Sequence, residues 1–184
     1  MIFQELSLKG LILIMPDVHP DERGFFLERY SKRVFQEQGG LDLEFVQDNH
    51  SHSAKDVLRG IHFQIPPHAQ DKLVWVTHGA VLDVAVDLRR ESSTFGQWAS
   101  AILSEANHQM FLVPKGFGHG FLVLSETVDF LYKTSDFYAK SYERGIAWND
   151  PEIGIDWPVQ TPILSGRDQH QPSLAEMLAR GELF

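Results

Sequence analysis

The stretch from residue 72 to residue 89 reads KLVWVTHGAVLDVAVDLR, with valine and leucine on both sides of a His78-Gly79 turn signal. β-Branched residues fit the pleated surface of a sheet, whereas glycine marks the turn between two strands. Two strands, over residues 72–76 and 80–88, are therefore predicted. Shorter apolar runs predict further strands over residues 11–15, 101–103, 110–113, 120–124 and 129–134. Many short strands separated by turns are typical of an all-β sandwich, jelly roll or barrel.

Helices are few and short in this pattern. One is predicted at residues 31–38, with Ser31 as its N-cap and Gly39 as its stop. A second is predicted in the C-terminal tail, at about residues 173–181, because Ser173 and Glu176 have the spacing of a capping box. No internal repeat or linker interrupts the chain, so a single domain over residues 1–184 is expected.

Composition excludes several classes of function. The net charge of -9 argues against a nucleic-acid partner, because phosphate contacts need a basic face. The absence of cysteine excludes disulfides, thiolate nucleophiles and cysteine-ligated metals. The first residues, MIFQELSLKGLILIMP, contain neither a signal peptide nor a membrane-spanning run, so no membrane partner and a cytoplasmic location are expected.

Polar and charged residues are concentrated between residues 47 and 72. The segment 47–64 reads QDNHSHSAKDVLRGIHFQ, and Lys72 follows a Pro-Pro turn. An arginine, an imidazole and an ammonium are costly to bury together unless a bound anion offsets that cost, so this region is interpreted as an active-site wall. Alternation predicts that His62 and Gln64 share a face that looks into a cavity, while Ile61 and Phe63 face the core. The alternative for His62 is a structural histidine that caps a buried carbonyl.

A second histidine motif occupies residues 114–121, which read PKGFGHGF. Its spacing, P-x-G-x-x-H, matches the second motif of the cupin superfamily and predicts that His119 points inward; the alternative is a glycine-rich hairpin with an incidental histidine. Cupins often hold a metal, but Gln64 stands where a second histidine is needed and residues 66–70 contain no glutamate. Too few ligands remain for a tight site, so no metal is predicted.

Three further segments carry candidate groups. In residues 130–138, alternation predicts that Tyr132 and Tyr138 share a face, where a phenol could transfer a proton or simply pack at a rim. Asp168 could fold back to orient His62, or it could cap the segment that follows it. Arg23, beside a glycine, suits either phosphate binding or a solvated turn.

These motifs, in this order, closely resemble the dTDP-4-dehydrorhamnose 3,5-epimerase family of the cupin superfamily. The resemblance spans about residues 3–168, and its matching segments are 21–28, 45–51, 57–64, 70–74, 79–89, 114–121, 148–151, 157–158 and 164–168. It implies a cupin jelly roll that works as a homodimer, with an N-terminal segment crossing to the partner. It also implies a dTDP-4-keto-6-deoxyhexose substrate and epimerisation at C3 and C5 without a cofactor or metal.

The resemblance also assigns roles to individual residues. His62 would be the base, Asp168 its orienting carboxylate, Lys72 the cation at the enolate oxygen and Tyr132 the acid, with Tyr138 as a second candidate acid. The residues that would hold the substrate are Arg23, Phe26, Glu28, Gln47, Asn49, Arg59, His119, Tyr138, Glu143 and Arg167. Arg167 departs from the family, which commonly has lysine there, and the planar guanidinium differs in reach and hydration.

Three other functions remain open from the sequence. A sibling enzyme that epimerises only one carbon of a related dTDP-sugar would keep much of this pattern. A metal-dependent cupin, such as a dioxygenase, would need ligands that the motifs lack. A sugar-nucleotide binding module would bind the ligand without exchanging its protons.

Overall fold

The computed structural model describes residues 1–184, and its two main sheets form a β-sandwich. The strands are β1 (Ile2–Glu5), β2 (Ile12–Met15), β3 (Val18–Asp21), β4 (Gly24–Leu27), β5 (Gln47–Ala54), β6 (Leu58–Gln64), β7 (Lys72–His78), β8 (Ala80–Asp87), β9 (Trp98–Ser104), β10 (Met110–Val113), β11 (Phe117–Val123), β12 (Thr127–Thr134) and β13 (Glu143–Gly145). The α-helices are α1 (Lys32–Gly39) and α2 (Leu174–Ala179), and short 3-10 helices lie at Lys140–Tyr142 and Asp168–His170.

The strand order confirms the predicted all-β class. One sheet has the order β1-β2-β10-β7-β12-β5, the other has the order β13-β6-β11-β8-β9, and β3 and β4 form a separate hairpin. All these strand pairs are antiparallel. None of the helices has the length and apolar character needed to span a bilayer.

The main core contains the apolar residues of both sheets. Val74 and Val76 of β7 are buried together with Val81 of β8. Phe121 of β11 stacks on Phe130 of β12, with their ring centroids 4.1 Å apart. Burial of such side chains contributes on the order of 2 kcal/mol each, so this layer holds the two sheets together. The cavity described below is bounded by the same two phenylalanines.

The two helices cover separate apolar surfaces outside this core. Phe35 of α1 packs in a cluster with Ile14 and Leu73, which are buried residues of the first sheet. Leu174 and Met177 of α2 belong to a cluster that covers the second sheet. The predicted capping box at Ser173 is present, since the Ser173 hydroxyl accepts a hydrogen bond from Glu176 N and the Glu176 carboxylate accepts one from Ser173 N.

Two local predictions are corrected by the structure. Helix α1 includes Gly39 and is capped by Gly40 in the left-handed region, with φ 64°. Gly39 is needed for packing instead, because a Cβ there would lie 2.8 Å from the Phe3 ring. Strand β12 ends at Thr134, whose hydroxyl donates to Asp136 O at 2.9 Å. The prediction that Tyr138 shares a strand face with residues of β12 is therefore wrong.

Two glycines set the distance between β6 and β11. Gly60 has φ 135°, and a Cβ on it would lie 2.5 Å from Gly120 Cα. No side chain fits between the two backbones at that point, and the left-handed φ favours glycine there. The close approach holds the pairing in which His62 lies opposite His119. Both histidines thereby reach the same cavity.

Candidate active site

A cavity of about 420 Å³ opens in the β-sandwich and gathers most of the predicted catalytic groups. Both sheets and the loop that precedes the second 3-10 helix contribute to its wall. The polar and charged residues that line it are Ser51, Arg59, His62, Lys72, His119, Tyr132, Ser165, Arg167 and Asp168. His62, Lys72, Tyr132 and Asp168 thus meet in space, although 106 residues separate the first from the last.

His62 and Asp168 form a close pair at the cavity wall. His62 Nε2 lies 2.5 Å from Asp168 Oδ1, and Asp168 is buried. The other carboxylate oxygen, Oδ2, accepts a hydrogen bond from Ser165 Oγ at 3.0 Å. Burial tends to raise the pKa of Asp168, but the interactions with His62 and Ser165 outweigh it and lower that pKa. An ionised, doubly held carboxylate fixes the orientation of the imidazole.

Lys72 brings a positive charge into the same cavity. It begins β7, and its Nζ lies 3.5 Å from His62 O. Burial lowers the pKa of Lys72 to about 8, although nearby Glu143 and Asp83 act to raise it. The ammonium remains mostly protonated at neutral pH and is poorly solvated. It is therefore suited to stabilise negative charge that develops on a ligand oxygen.

Tyr132 supplies a phenol to the same cavity from the sheet that also carries Lys72. It belongs to β12 and lies opposite Asn49 of β5. Burial and the charge of Glu143 raise the pKa of Tyr132, and Arg59 only partly opposes this effect. The phenol is therefore protonated at neutral pH, so it can donate a proton to a ligand but is a poor base.

Asp83 is a buried residue of this site that sequence reasoning did not select. His119 Nε2 lies 2.9 Å and 3.0 Å from its two carboxylate oxygens, and Asp83 is fully buried. Burial raises the pKa of Asp83, and His119 opposes that shift. The available signal was a lone aspartate in the apolar run AVLDVAV of β8. A buried carboxylate needs such a partner.

Arg59 lines the cavity near β5, whereas Gln47 and Asn49 of β5 are not among its lining residues. Arg59 Nη2 donates to Ser53 Oγ at 3.0 Å, which leaves part of its guanidinium facing the cavity. Gln47 Nε2 donates to Asn49 Oδ1 at 2.8 Å. The Asn49 amide nitrogen is buried and has no hydrogen-bond partner. Of the three residues, Arg59 presents hydrogen-bond donors to a polar ligand in the cavity.

Tyr138, Glu143 and Arg167 form a cluster at the edge of the cavity, which Arg167 also lines. Glu143 Oε2 accepts a hydrogen bond from the Tyr138 hydroxyl at 2.7 Å and pairs with Arg167 Nη1 at 2.5 Å. Burial tends to raise the pKa of Glu143, but these two partners outweigh it and lower that pKa. Tyr138 lies in the exposed loop after β12 and does not line the cavity.

Several predicted residues lie away from the cavity within one chain. Arg23 and Phe26 belong to the β3–β4 hairpin, where Phe26 is 69% exposed and Arg23 pairs with Asp21. Glu28 follows the same hairpin and is exposed. Gln64 is buried, and its amide donates to His68 O at 2.7 Å, so the prediction that it faces the cavity is wrong.

The histidines and carboxylates do not form a recognisable metal centre. No group of three or more such side chains is arranged to hold an ion. His62 and His119 are instead paired with different carboxylates, Asp168 and Asp83. The cavity therefore combines a held imidazole, a partly buried ammonium and a protonated phenol, a set that fits proton transfer next to a carbonyl group.

Comparison with known proteins places this geometry in a family. The sequence profile of dTDP-4-dehydrorhamnose 3,5-epimerase matches residues 5–176. The chain belongs to this family. It is 54% identical over 172 residues to dTDP-4-dehydrorhamnose 3,5-epimerase from Pseudomonas aeruginosa, covering 93% of this chain and 94% of the relative.

Two other relatives of this 3,5-epimerase family member are a solved structure with a bound dTDP-sugar and an enzyme named as a 3-epimerase. The crystal structure of dTDP-6-deoxy-D-glucose-3,5-epimerase from Legionella pneumophila, in complex with dTDP-4-keto-L-rhamnose, has a TM-score of 0.93 and 43% identity, covering 99% of this chain and 96% of that one. A dTDP-4-dehydrorhamnose 3-epimerase from Streptomyces niveus is 40% identical over 183 residues, covering 100% of this chain and 88% of the relative. The chain is thus an isomerase of the epimerase class.

Proposed function

We propose that this epimerase converts dTDP-4-dehydro-6-deoxy-D-glucose into dTDP-4-dehydro-L-rhamnose, with His62 as the base that removes the C3 and C5 protons. The observation that carries the proposal is the 2.5 Å pair between His62 and Asp168 in a cavity that also holds Lys72 and Tyr132. The C4 carbonyl of the substrate acidifies both neighbouring C–H groups. The chemistry therefore needs a base, an acid and a charge at the carbonyl oxygen.

Each of these needs has a matching side chain in the proposed mechanism. The ring nitrogen of His62 that is not bonded to Asp168 takes the proton. The Lys72 ammonium stabilises the enolate oxygen, because a fixed charge in a dry cavity interacts strongly with a developing one. Tyr132 returns a proton to the opposite face of the sugar. No electron transfer occurs, so the proposed reaction requires no redox cofactor.

Substrate binding is assigned to the groups around this centre. Arg59, His119, Gln47 and Asn49 hold the sugar and the diphosphate. The guanidinium of Arg59 and the unpartnered amide nitrogen of Asn49 are donors suited to those oxygens. Glu143 binds the nucleotide end, and its pairing with Arg167 sets the position of that arginine.

The remaining binding residues belong to a hairpin that we propose crosses to the partner of a homodimer. Phe25 and Phe26 are 58% and 69% exposed, and Val18 on the adjacent strand is 38% exposed. Because successive strand residues point to opposite faces, the hairpin exposes a phenylalanine on each face, which is costly in water and favours coverage by another chain. In this arrangement each single-domain protomer supplies Arg23, Phe26 and Glu28 to its partner's cavity.

Mixed dimers test the crossing directly. A His62→Ala protomer lacks the base, and an Arg23→Ala protomer lacks the group supplied to its partner. In a mixed dimer, one cavity carries both defects and the other carries neither. We expect activity to reappear when the two inactive variants are unfolded, mixed and refolded together, with light scattering giving the dimer mass. Activity that never exceeds that of either variant alone would contradict the crossing.

A deuterium-labelling experiment distinguishes epimerisation at both C3 and C5 from epimerisation at one carbon only. The relative from Streptomyces niveus, a 3-epimerase, makes single epimerisation the specific alternative. Incubation of the metal-free protein with the 4-keto sugar nucleotide in D2O should place solvent deuterium at both C3 and C5, as read by NMR. Label at C3 alone would assign a mono-epimerase. No label, with retained ligand binding, would leave a binding module.

A further inference from the structure

A second cavity lies beside the active site and has an unusual charge. It has a volume of about 340 Å³, and Arg167 lines both it and the catalytic cavity. Four of the chain's 16 lysines and arginines line it, namely Lys140, Arg144, Arg167 and Arg180. Only two carboxylates, those of Glu143 and Glu182, oppose them. The cavity therefore has a net charge of +2 in a protein whose net charge is -9.

The two carboxylates of this cavity are already engaged. Glu143 Oε2 pairs with Arg167 Nη1 at 2.5 Å, and Glu182 Oε1 pairs with Arg144 Nη2 at 2.8 Å. Lys140 has no carboxylate partner within 4.0 Å. Lys140 and Arg180 are thus the two cations of this cavity that form no ion pair within it.

One nitrogen donor beside this cavity also lacks a partner. Arg144 Nε is buried and makes no hydrogen bond. A buried donor without a partner costs on the order of 1–3 kcal/mol, so such groups are normally satisfied. The unpaired groups in this cavity are therefore donors and cations, and a matching ligand must be an acceptor with negative charge.

From these observations we propose that this cavity is a second anion site, which binds a small oxyanion such as inorganic phosphate. Phosphate presents acceptor oxygens in several directions, so it can meet the exposed side chains of Lys140 and Arg180 together beside the Arg144 guanidinium. The site is adjacent to the catalytic cavity but separate from the position assigned to the substrate's diphosphate near Arg59.

The site is connected to the catalytic pair through its wall. Gln171 lies close enough to the Asp168 carboxylate to contribute to its lowered pKa. Arg167, which lines both cavities, is held by Glu143. An anion in the second cavity attracts Arg167 away from Glu143 and so changes the nucleotide-binding edge of the active site.

Calorimetric titration with inorganic phosphate tests the proposal. The full chain is titrated first alone and then with dTDP at a concentration that occupies the catalytic cavity. The variant is Lys140→Gln with Arg180→Gln, since both side chains are exposed and outside the core. The matched control is Lys9→Gln with Arg33→Gln, which removes the same charge from exposed positions that do not line this cavity.

We expect saturable phosphate binding that persists with dTDP, weakens at least about tenfold in the Lys140/Arg180 variant and is unchanged in the control. The proposal is overturned if the wild-type chain shows no saturable binding, or if the variant binds as tightly as the control. Displacement of phosphate by dTDP would also overturn it, because the anion would then occupy the substrate's own site. These readouts measure binding alone, so they can fail while the epimerase activity stands.

Discussion

His62 Nε2 lies 2.5 Å from Asp168 Oδ1, although 106 residues separate the two in sequence. The contact forms because Asp168 begins a 3-10 helix at the mouth of the sandwich, where Ser165 Oγ accepts a hydrogen bond from Asp168 N. The C-terminal segment thus carries the Asp168 carboxylate to β6, the strand that holds His62. The carboxylate is held on both oxygens, so the imidazole has one fixed orientation.

The first prediction concerns the charge of that carboxylate. Asp168→Asn preserves the size of the side chain but removes the negative charge that stabilises a protonated His62. We expect kcat to fall by about 10²–10⁴-fold while KM changes little, because the charge acts mainly after the proton is taken. Steady-state kinetics give both constants. A kcat within twofold of the wild-type value would remove Asp168 from the mechanism.

The second prediction links Lys72 to both stability and activity. Burial lowers the pKa of Lys72 from 10.5 to about 8, so the folded state disfavours the charged form. The resulting penalty, on the order of 3 kcal/mol, is fully present below pH 8 and disappears as the pH rises towards 10.5. Lys72→Met should therefore raise the free energy of unfolding at pH 7 while it abolishes epimerisation.

Chemical denaturation at several pH values measures this effect. The difference in the free energy of unfolding between Lys72→Met and the wild-type protein should shrink as the pH rises from 8 to 10.5. The wild-type kcat should fall over the range in which Lys72 loses its proton, near pH 8. If that stability difference were constant with pH, burial of the Lys72 ammonium would not be the cause of the difference.

The third prediction separates proton removal from proton return. Tyr132→Phe keeps the ring in the cavity but removes the hydroxyl, whose pKa is raised by burial and by Glu143. His62 is still able to form the enolate and return the proton to the same face. In D2O, we expect the unconverted substrate to gain deuterium faster than product forms. Loss of exchange and of product to the same extent would instead place Tyr132 at the abstraction step.

The fourth prediction concerns the buried pair of Asp83 and His119. Asp83→Ala leaves the His119 donor without its partner, which should destabilise the protein by about 1–3 kcal/mol. Asp83→Asn is the matched control, because its amide oxygen can still accept the hydrogen bond. Urea unfolding should therefore rank the proteins wild type, Asn variant, Ala variant. Equal stability of the two variants would mean that the contact is not what holds His119.

Sequence patterns predicted the apolar strands well because burial leaves a local signature. The valine-rich strands at residues 72–76 and 80–88 are present as β7 and β8. Strand β5 was missed because its sequence, QDNHSHSA, is polar throughout. It lies at the edge of its sheet, and the alternate residues Gln47, Asn49, Ser51 and Ser53 are the less exposed ones. Periodicity in apolar residues cannot reveal such a strand.

Local sequence patterns are equally limited for the site residues, because contacts between distant residues leave no local signal. The resemblance selected the four groups that meet in the cavity, namely His62, Lys72, Tyr132 and Asp168. Asp83 was not selected because its partner is 36 residues away and pairing across a sheet leaves no local pattern. Tyr138 was misplaced because the turn after Thr134 ends the alternation. Arg23, Phe26 and Glu28 lie on or beside the exposed β3–β4 hairpin, away from the cavity, and no local pattern indicates that separation.

The measurement that tests the central claim most directly is solvent exchange by a His62→Ala variant. Wild-type protein, His62→Ala and the matched surface control His50→Ala are incubated with the 4-keto sugar nucleotide in D2O and followed by NMR. We predict deuterium at both C3 and C5 with the wild-type and His50→Ala proteins, and none at either carbon with His62→Ala, although that variant still binds dTDP. Label at the wild-type rate in His62→Ala would contradict the assignment of His62 as the base.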